Sequence, residues 1–146
     1  MNTLAYIKLN RTTGKELDHA KRNAWVFVRA EEGESQADAI AEMKLFNSIC
    51  EAEGFHIIGE SVFLGNETGA KHILETFIPR ILFVDCIVTP SIRDVASNSQ
   101  NALSVVDKLQ NEGVDLFTMI DGEIFKTSST ISVLRAFHNK KQACAR

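Results

Sequence analysis

The chain has 146 residues and a formal net charge of −3, with 45% hydrophobic and 24% charged residues. These values are ordinary for a single globular domain, and they exclude the strong basic excess that is typical of non-specific nucleic-acid binders. No apolar run reaches the roughly 18 residues needed to span a bilayer, and the first residues lack the pattern of a secretion signal. We therefore expect a cytoplasmic protein that does not enter a membrane.

The cysteines and histidines give no metal or disulfide pattern. Cys50, Cys86 and Cys144 form no C-x-x-C pair, and an odd number leaves one unpaired. Cys50 and Cys86 fall in apolar patterns and are interpreted as small core residues. The four histidines show no metal-ligand spacing. The sequence predicts neither a metal site nor a cofactor.

The first half of the chain opens with an extension and continues as strand, helix, strand. Residues 1–23 form the N-terminal extension, in which residues 4–9 fit a strand and residues 13–22 a short helix. Residues 24–29 are apolar, β-branched and aromatic, which predicts a buried strand. An acidic loop precedes a helix that ends at Gly54, and residues 56–63 fit the next strand. That helix carries an apolar stripe of Ile40, Met43, Phe46, Ile49 and Cys50.

The second half repeats the alternation of helix and strand. Residues 69–77 fit a short helix, and residues 81–88 form the most apolar stretch, typical of a central parallel strand. Ser91 with Asp94 resembles a capping box that opens a helix ending at Gly113. Residues 114–120 fit a strand, Asp121-Gly122 a turn, and a final helix begins near residue 129. This order predicts an α/β fold of three layers, with a mostly parallel sheet of four to five strands and helices on both faces.

Several strings in this order resemble the catalytic domain of serine recombinases, the resolvase/invertase family. The family's first strand ends in aromatic-x-Arg-x-Ser, and residues 27–31 read Phe-Val-Arg-Ala-Glu. Residues 87–98, Ile-Val-Thr-Pro-Ser-Ile-Arg-Asp-Val-Ala-Ser-Asn, fall where the family has a strand followed by Leu-Asp-Arg-x-x-Arg. The resemblance covers residues 24 to about 137. It implies a resolvase-like domain over residues 24–146, without the helix-turn-helix domain that reads DNA sequence.

The same resemblance implies a degenerate catalytic site. The family's serine attacks a DNA phosphodiester, and its arginines stabilise the phosphoryl charge. Arg29 occupies a family arginine position, although it is equally well interpreted as a strand-end arginine paired with carboxylates. Glu31 stands where the nucleophile is expected, and its charge opposes a phosphate. We therefore expect a pocket rich in carboxylates with no hydroxyl ready to attack.

The second family motif is altered too. The family's motif Asp-Arg-x-x-Arg aligns with Arg93, Asp94 and Ser97. The acidic and basic residues of its first two positions are therefore exchanged, and a serine replaces its final arginine. Asp94 and Ser97 are better interpreted as ordinary residues in the first turns of a helix. Ser35 is a candidate substitute nucleophile, but an N-cap role is the simpler interpretation.

The final helix is the candidate interaction element. In the family this helix mediates dimerisation and leads across DNA, so the resemblance implies a homodimer and a DNA or recombinase partner. The dimer candidates are the apolar stripe Ile131, Leu134 and Phe137, which alternatively covers the chain's own core. The DNA-contact candidates are Arg135, Lys140, Lys141 and Arg146.

Two classes of function remain open at this point. The first is a recombinase-like pseudoenzyme that acts as a recombination-associated binding or regulatory module. The second is a regulatory α/β domain that binds a small molecule where strand order reverses, between the loops after Arg29 and Val88. An active recombinase with a displaced nucleophile is a further alternative.

Overall fold

The computed structural model describes residues 3–9 and 22–138. Its strands are β1 (Thr3–Leu9), β2 (Arg22–Arg29), β3 (Phe55–Leu64), β4 (Cys86–Thr89), β5 (Asp115–Ile120) and β6 (Glu123–Lys126). Its α-helices are α1 (Gln36–Ala52), α2 (Glu67–His72), α3 (Ser99–Asn111) and α4 (Thr130–His138). A π-helical turn covers Ile73–Phe77, and 3₁₀ turns cover Ile78–Arg80 and Ile92–Asp94.

The described strands form one mixed sheet in the order β1-β3-β2-β4-β5-β6. The four inner strands are parallel, and β1 and β6 pair antiparallel at the two ends. The α/β class is confirmed, but the predicted count of four to five strands is too low, because residues 3–9 and 22–138 already contribute six. Residues 3–9 belong to this sheet through β1, which confirms the strand predicted for the extension. The helix predicted over residues 13–22 lies outside the described residues, apart from Arg22 in β2.

The core lies on both faces of the sheet because successive side chains of a strand point in opposite directions. In β2, Trp25 and Phe27 face a cluster that includes Val105 and Leu109 of α3 and Val133 of α4. The alternate residues of β2 face a second cluster with α1, formed by Ala24, Val26, Val28, Ala39, Met43, Phe46 and Cys50. The stripe predicted for α1 is thus confirmed, except that Ile49 is exposed.

The two described cysteines lie in the second cluster, as the sequence predicts. Cys50 and Cys86 are buried and form no disulfide. Burial raises the pKa of the Cys86 thiol to about 12 and raises that of Cys50 as well. Both side chains are therefore protonated, small apolar groups at neutral pH.

Two predicted elements differ in extent. The strand predicted over residues 81–88 is shortened to β4, since its parallel pairing with β2 begins at Ala24 and Cys86. The preceding loop turns sharply, with Phe83 at φ 72°. The helix predicted to begin at Ser91 starts only at Ser99, where the Asn98 side chain accepts a hydrogen bond from the Asn101 N–H. Ser91 caps the separate 3₁₀ turn instead.

The Asp121-Gly122 turn is confirmed, and it also closes a hairpin that the sequence did not predict. Ile120 pairs with Glu123 across a two-residue loop, in which Asp121 has φ 52° and Gly122 φ 81°. Positive φ at both central residues defines the type of turn that matches the twist of two antiparallel strands. The short strand β6 was missed because its four residues show no long apolar run.

Candidate functional site

A cavity of about 230 Å³ lies at the carboxyl ends of β2 and β4. Its lining consists of Arg29, Ala30, Glu31, Glu32, Ser91, Arg93 and Asp94. The chain passes from β2 to β3 on one side and then crosses to β4 on the other. This reversal of strand order is where open α/β sheets usually bind ligands. The fold thus brings together the two segments that the sequence singled out, after Arg29 and after Val88.

Arg29 is the last residue of β2, and its guanidinium is held from the side of β3. Its Nε donates a hydrogen bond of 3.0 Å to the carbonyl oxygen of Gly65. The positive charge of Arg29 also acts on Glu67, the first residue of α2. Both interpretations of Arg29, a strand-end arginine paired with carboxylates and a phosphate-binding arginine, stay predictions.

Glu67 joins the Arg29 side of the cavity to the entry of α3. Its Oε1 accepts a hydrogen bond from the Ser97 N–H at 2.8 Å, and its Oε2 accepts one from Asn101 Nδ2 at 2.6 Å. Hydrogen bonding to Ser97 is the main cause that lowers the pKa of Glu67; Asn101 and Arg29 add to it, against the opposing effect of burial. Sequence reasoning missed Glu67, because its partners lie about 30 residues away along the chain.

Arg93 lies on the 3₁₀ turn after β4 and extends toward the end of α4. Its Nη2 donates to the carbonyl oxygen of Phe137 at 3.3 Å, and its guanidinium carbon lies 5.3 Å from the centre of the Phe137 ring. Both described contacts use charge and donors that a phosphate would also need. Arg93 therefore couples the cavity to α4.

Three carboxylates share the cavity with the two arginines. Glu31 and Glu32 are exposed in the turn after β2, whereas Asp94 is buried. The Glu31 N–H donates to Glu34 Oε1 at 3.0 Å, which adds a third acidic group to this turn. Asp94 lies in the first turn of a short 3₁₀ helix that is separate from α3, and it also lines the cavity. With all groups ionised, the lining carries more negative than positive charge.

One hydroxyl group lies in the lining of this cavity. Ser91 lines it together with both arginines. The Ser91 Oγ accepts a hydrogen bond of 3.2 Å from the Arg93 N–H, as the cap of the 3₁₀ turn. Sequence reasoning placed the loop after Val88 opposite Arg29 but interpreted Ser91 only as a cap, because no local pattern shows which side chains of that loop face the cavity.

The other two candidate serines occupy backbone roles. The Ser35 Oγ accepts a hydrogen bond of 3.0 Å from the Asp38 N–H, which confirms Ser35 as the N-cap of α1. Ser97 is exposed between the 3₁₀ turn and α3, where its N–H binds Glu67. It therefore does not lie in a helix's first turn as predicted. Neither serine is among the residues that line the cavity.

Some of the dimer and DNA-contact candidates on α4 are exposed to solvent, and others contact neighbouring side chains. Ile131 and Leu134 are exposed, so they do not cover the chain's own core, which instead receives Val133 and Ala136. Phe137 is half-buried beneath Arg93. Arg135 is exposed, with its guanidinium carbon 5.3 Å from the centre of the Phe125 ring. Lys140, Lys141 and Arg146 lie outside the described residues.

Within residues 3–9 and 22–138, no group of three or more His, Cys, Asp or Glu side chains is arranged to hold a metal ion. Over the same ranges, no helix combines the length and apolar character that crossing a bilayer requires.

Two solved structures share this arrangement of strands and helices. A resolvase family site-specific recombinase from Streptococcus pneumoniae superposes with a TM-score of 0.60 and 20% identity, covering 80% of this chain and 85% of that one. The N-terminal catalytic domain of TP901-1 integrase superposes with a TM-score of 0.58 and 14% identity, covering 80% and 89%. No protein-family model and no curated protein matches the chain.

These superpositions define the class of fold. The chain is a resolvase-like α/β domain, similar in architecture to a site-specific recombinase and to an integrase catalytic domain. At these identities the likeness concerns the fold, and function has to be argued from the cavity itself.

Proposed function

We propose that this chain is a resolvase-like pseudoenzyme, a recombination-associated binding or regulatory module that does not cleave DNA strands. The observation that carries the proposal is the lining of the cavity, where three carboxylates accompany two arginines. Its proposed partners are DNA or an active recombinase, by analogy with the recombinase and the integrase domain that share its fold. Self-association through α4, with Ile131 and Leu134 in the contact, is part of the same proposal.

Electrostatics supports the absence of phosphoryl chemistry. A carboxylate about 4 Å from a phosphate oxygen costs on the order of 1–4 kcal/mol at surface-like dielectric values. Glu31 and Glu32 line the cavity and are exposed to solvent, so their charges oppose a DNA backbone that approaches it. Arg29 and Arg93 already donate to the carbonyl oxygens of Gly65 and Phe137. These hydrogen bonds fix the orientation of each guanidinium from outside the cavity and leave it fewer donors for a phosphate.

Titration with inorganic phosphate tests the cavity without knowledge of any DNA target. Side-chain NMR signals of Arg29 and Arg93 are followed as phosphate is added, with Arg22 at the opposite end of β2 as the internal control. We expect a dissociation constant above about 10 mM, the range of a non-specific anion contact. Sub-millimolar binding that shifts both cavity arginines and leaves Arg22 unchanged would contradict the proposal.

The regulatory role is tested with an active resolvase-family recombinase acting on its own site. The purified chain is added in increasing amounts, and the rate of recombination is measured. We expect a dose-dependent change in rate that is weakened by Ile131→Asp and unaffected by Leu82→Asp, an exposed apolar control on another surface. A rate that is unchanged at every concentration rejects the regulatory role.

A second candidate, an active recombinase with a displaced nucleophile, is favoured by one observation. Ser91 shares the cavity with both arginines, whereas Ser35 does not. In such a step the Ser91 Oγ–phosphorus bond would form as the bond from phosphorus to the sugar oxygen breaks, and the hydroxyl proton would pass to that leaving oxygen. Incubation with labelled supercoiled plasmid separates the two candidates. A covalent protein–DNA adduct lost in Ser91→Ala, but kept in Ser104→Ala, would establish this second candidate.

The third candidate, a small-molecule regulatory domain, is favoured by the position of the cavity where strand order reverses. Its volume of about 230 Å³ is below the roughly 300–1,000 Å³ typical of ligand sites. Only a small ligand with both charge signs matches this lining. Tight binding of a zwitterionic metabolite, abolished by Asp94→Asn, would support this candidate over the first.

A further inference from the structure

Two helices on opposite faces of the sheet each expose a stripe of apolar and charged residues. The charged residues are acidic in one stripe and basic in the other. On α1, the stripe begins with Asp38 and Glu42 and continues with Leu45 and Ile49, whose side chains are 71% and 37% exposed. These positions follow the spacing of one helix face. The apolar half thus lies toward the carboxyl end of α1 and the acidic half toward its amino end.

A shallow groove of about 530 Å³ extends the acidic half. It is lined mainly by Glu31, Glu32, Glu34, Asp38, Glu42 and Leu45, and its described lining includes no Lys or Arg. Five carboxylates beside an exposed leucine form a surface that fits an apolar side chain flanked by cations.

The exposed face of α4 carries apolar and basic residues. On α4 the apolar residues come first and the charged residues last, which is the reverse of the order on α1. Ile131 is 79% exposed and Leu134 is 41% exposed, and Arg135 and His138 follow on the same face at helical spacing. Lys140 and Lys141 come next in the sequence. Apolar residues therefore come first and basic residues last.

We propose that α4 of one copy of this chain docks antiparallel along α1 of a second copy. In that orientation Leu134 lies against Leu45 and Ile131 against Ile49, while the basic end of α4 meets the acidic end of α1. The inference rests on the proposed function only in taking α4 as an interaction surface. Because α1 and α4 cover opposite faces of the sheet, each copy keeps one stripe available, and such head-to-tail contacts build rings or open chains.

The area buried by this contact determines how strongly two copies associate. One helix laid along another buries less than the roughly 1,200 Å² of a standard stable interface, so self-association is concentration-dependent. Sedimentation velocity of the full chain, at concentrations up to about 1 mM, is expected to show species larger than dimers. Raising the salt from about 0.1 M to about 1 M shortens the screening length from roughly 10 Å to roughly 3 Å, and it weakens the association.

Two single variants test the geometry. Leu45→Asp removes the α1 surface and Ile131→Asp removes the α4 surface, and each residue is exposed enough for the fold to tolerate the change. Each variant alone is expected to be monomeric, with the dissociation constant raised at least tenfold. An equimolar mixture is expected to form a 1:1 dimer and nothing larger, since one intact α4 meets one intact α1. Leu82→Asp serves as the matched control and leaves association unchanged.

The outcomes separate this inference from the proposed function. A wild-type dimer abolished by Ile131→Asp but untouched by Leu45→Asp means that α4 pairs with α4, which overturns the head-to-tail contact and keeps self-association through α4. A chain that stays monomeric at the highest concentration overturns both forms of self-association. A mixture of the two variants that remains monomeric overturns the inference as well.

Discussion

The guanidinium of Arg93 lies over the ring of Phe137, with its carbon atom 5.3 Å from the ring centre, and it donates to the Phe137 carbonyl oxygen at 3.3 Å. One residue lines the candidate site and the other lies one position before the end of α4. The position of Arg93 in the candidate site is thereby linked to the packing of α4, the helix that is proposed to bind partners.

Removing the ring should release Arg93 toward the cavity. Cation–π contacts at exposed sites contribute about 0.5–1 kcal/mol, so Phe137→Leu is expected to raise the affinity of the cavity for inorganic phosphate two- to fivefold. Isothermal titration of the variant against wild type measures the change. Phe125→Leu, which removes the corresponding ring beneath Arg135, is the matched control and should not alter phosphate binding. Equal affinities in the Phe137 variant and wild type would show that this contact does not restrain Arg93.

Neutralising the acidic turn should change phosphate binding more strongly. Each carboxylate near a bound phosphate costs on the order of 1 kcal/mol or more, so Glu31→Gln with Glu32→Gln is expected to raise phosphate affinity at least tenfold. The same titration measures it, with the double variant Asp107→Asn and Glu112→Gln, both exposed residues, as a control for the same change in net charge. An increase of similar size in the control would mean that overall charge, and not the lining of the cavity, opposes phosphate.

The pair of Lys44 and Glu60 should make stability depend on alkaline pH. Glu60 is buried, and its Oε2 accepts hydrogen bonds from Lys44 Nζ at 2.6 Å and from Tyr6 Oη at 3.2 Å. Hydrogen bonding to Glu60 is the main cause that raises the pKa of Lys44 above 10.5. A raised pKa stabilises the fold fully below pH 10.5, and this contribution is lost as the pH rises through the folded value.

Lys44→Met should remove that alkaline dependence and destabilise the fold at pH 7. The Lys44 side chain is 46% exposed, so solvent screens the pair and we expect a loss below the roughly 3–5 kcal/mol of a fully buried pair; Tyr6 and Asn47 also still donate to Glu60. Urea unfolding at pH 7 and pH 11 measures both effects. If Lys44→Met lost stability between these two pH values as steeply as wild type, the titrating group would be a different one.

Gly59 should be intolerant of any side chain. A Cβ atom at this position would overlap the ring of Trp25, which lies against the β3 backbone. The pairing of β2 with β3 shifts register between Ala24 and Trp25, opposite this glycine. Overpacking a filled core costs about 1–3 kcal/mol, so Gly59→Ala is expected to destabilise the fold by about 2–3 kcal/mol in urea unfolding.

A double-mutant cycle checks the cause of that loss. Trp25→Leu alone is destabilising because it leaves a cavity and removes the hydrogen bond from Trp25 Nε1 to Ser61 Oγ. Combined with Gly59→Ala, it should cost less than the sum of the two single changes, since the smaller side chain leaves room for the methyl group. If the two losses in the free energy of unfolding were strictly additive, Gly59→Ala would destabilise the fold through a contact other than the Trp25 ring.

Much of the fold could be predicted from local patterns. The buried strand around Trp25, the apolar stripe of α1, the N-cap at Ser35 and the turn at Asp121-Gly122 depend on residues within one element or its immediate neighbours. Their spacing and turn chemistry are therefore visible in the sequence. The break between the 3₁₀ turn and α3 was missed, because both a single helix and a turn followed by a capped helix fit residues 91–113.

The composition of the candidate site required the tertiary structure. The sequence by itself determined that an arginine ends β2 and that an acidic turn follows it. Only the fold decided that Ser91, Arg93 and Asp94 lie across the same cavity, and that Glu67 joins Arg29 to the start of α3. The physical reason is that parallel strands place their carboxyl ends at one edge of the sheet, so residues about 60 positions apart share a site whose charge balance no local pattern contains.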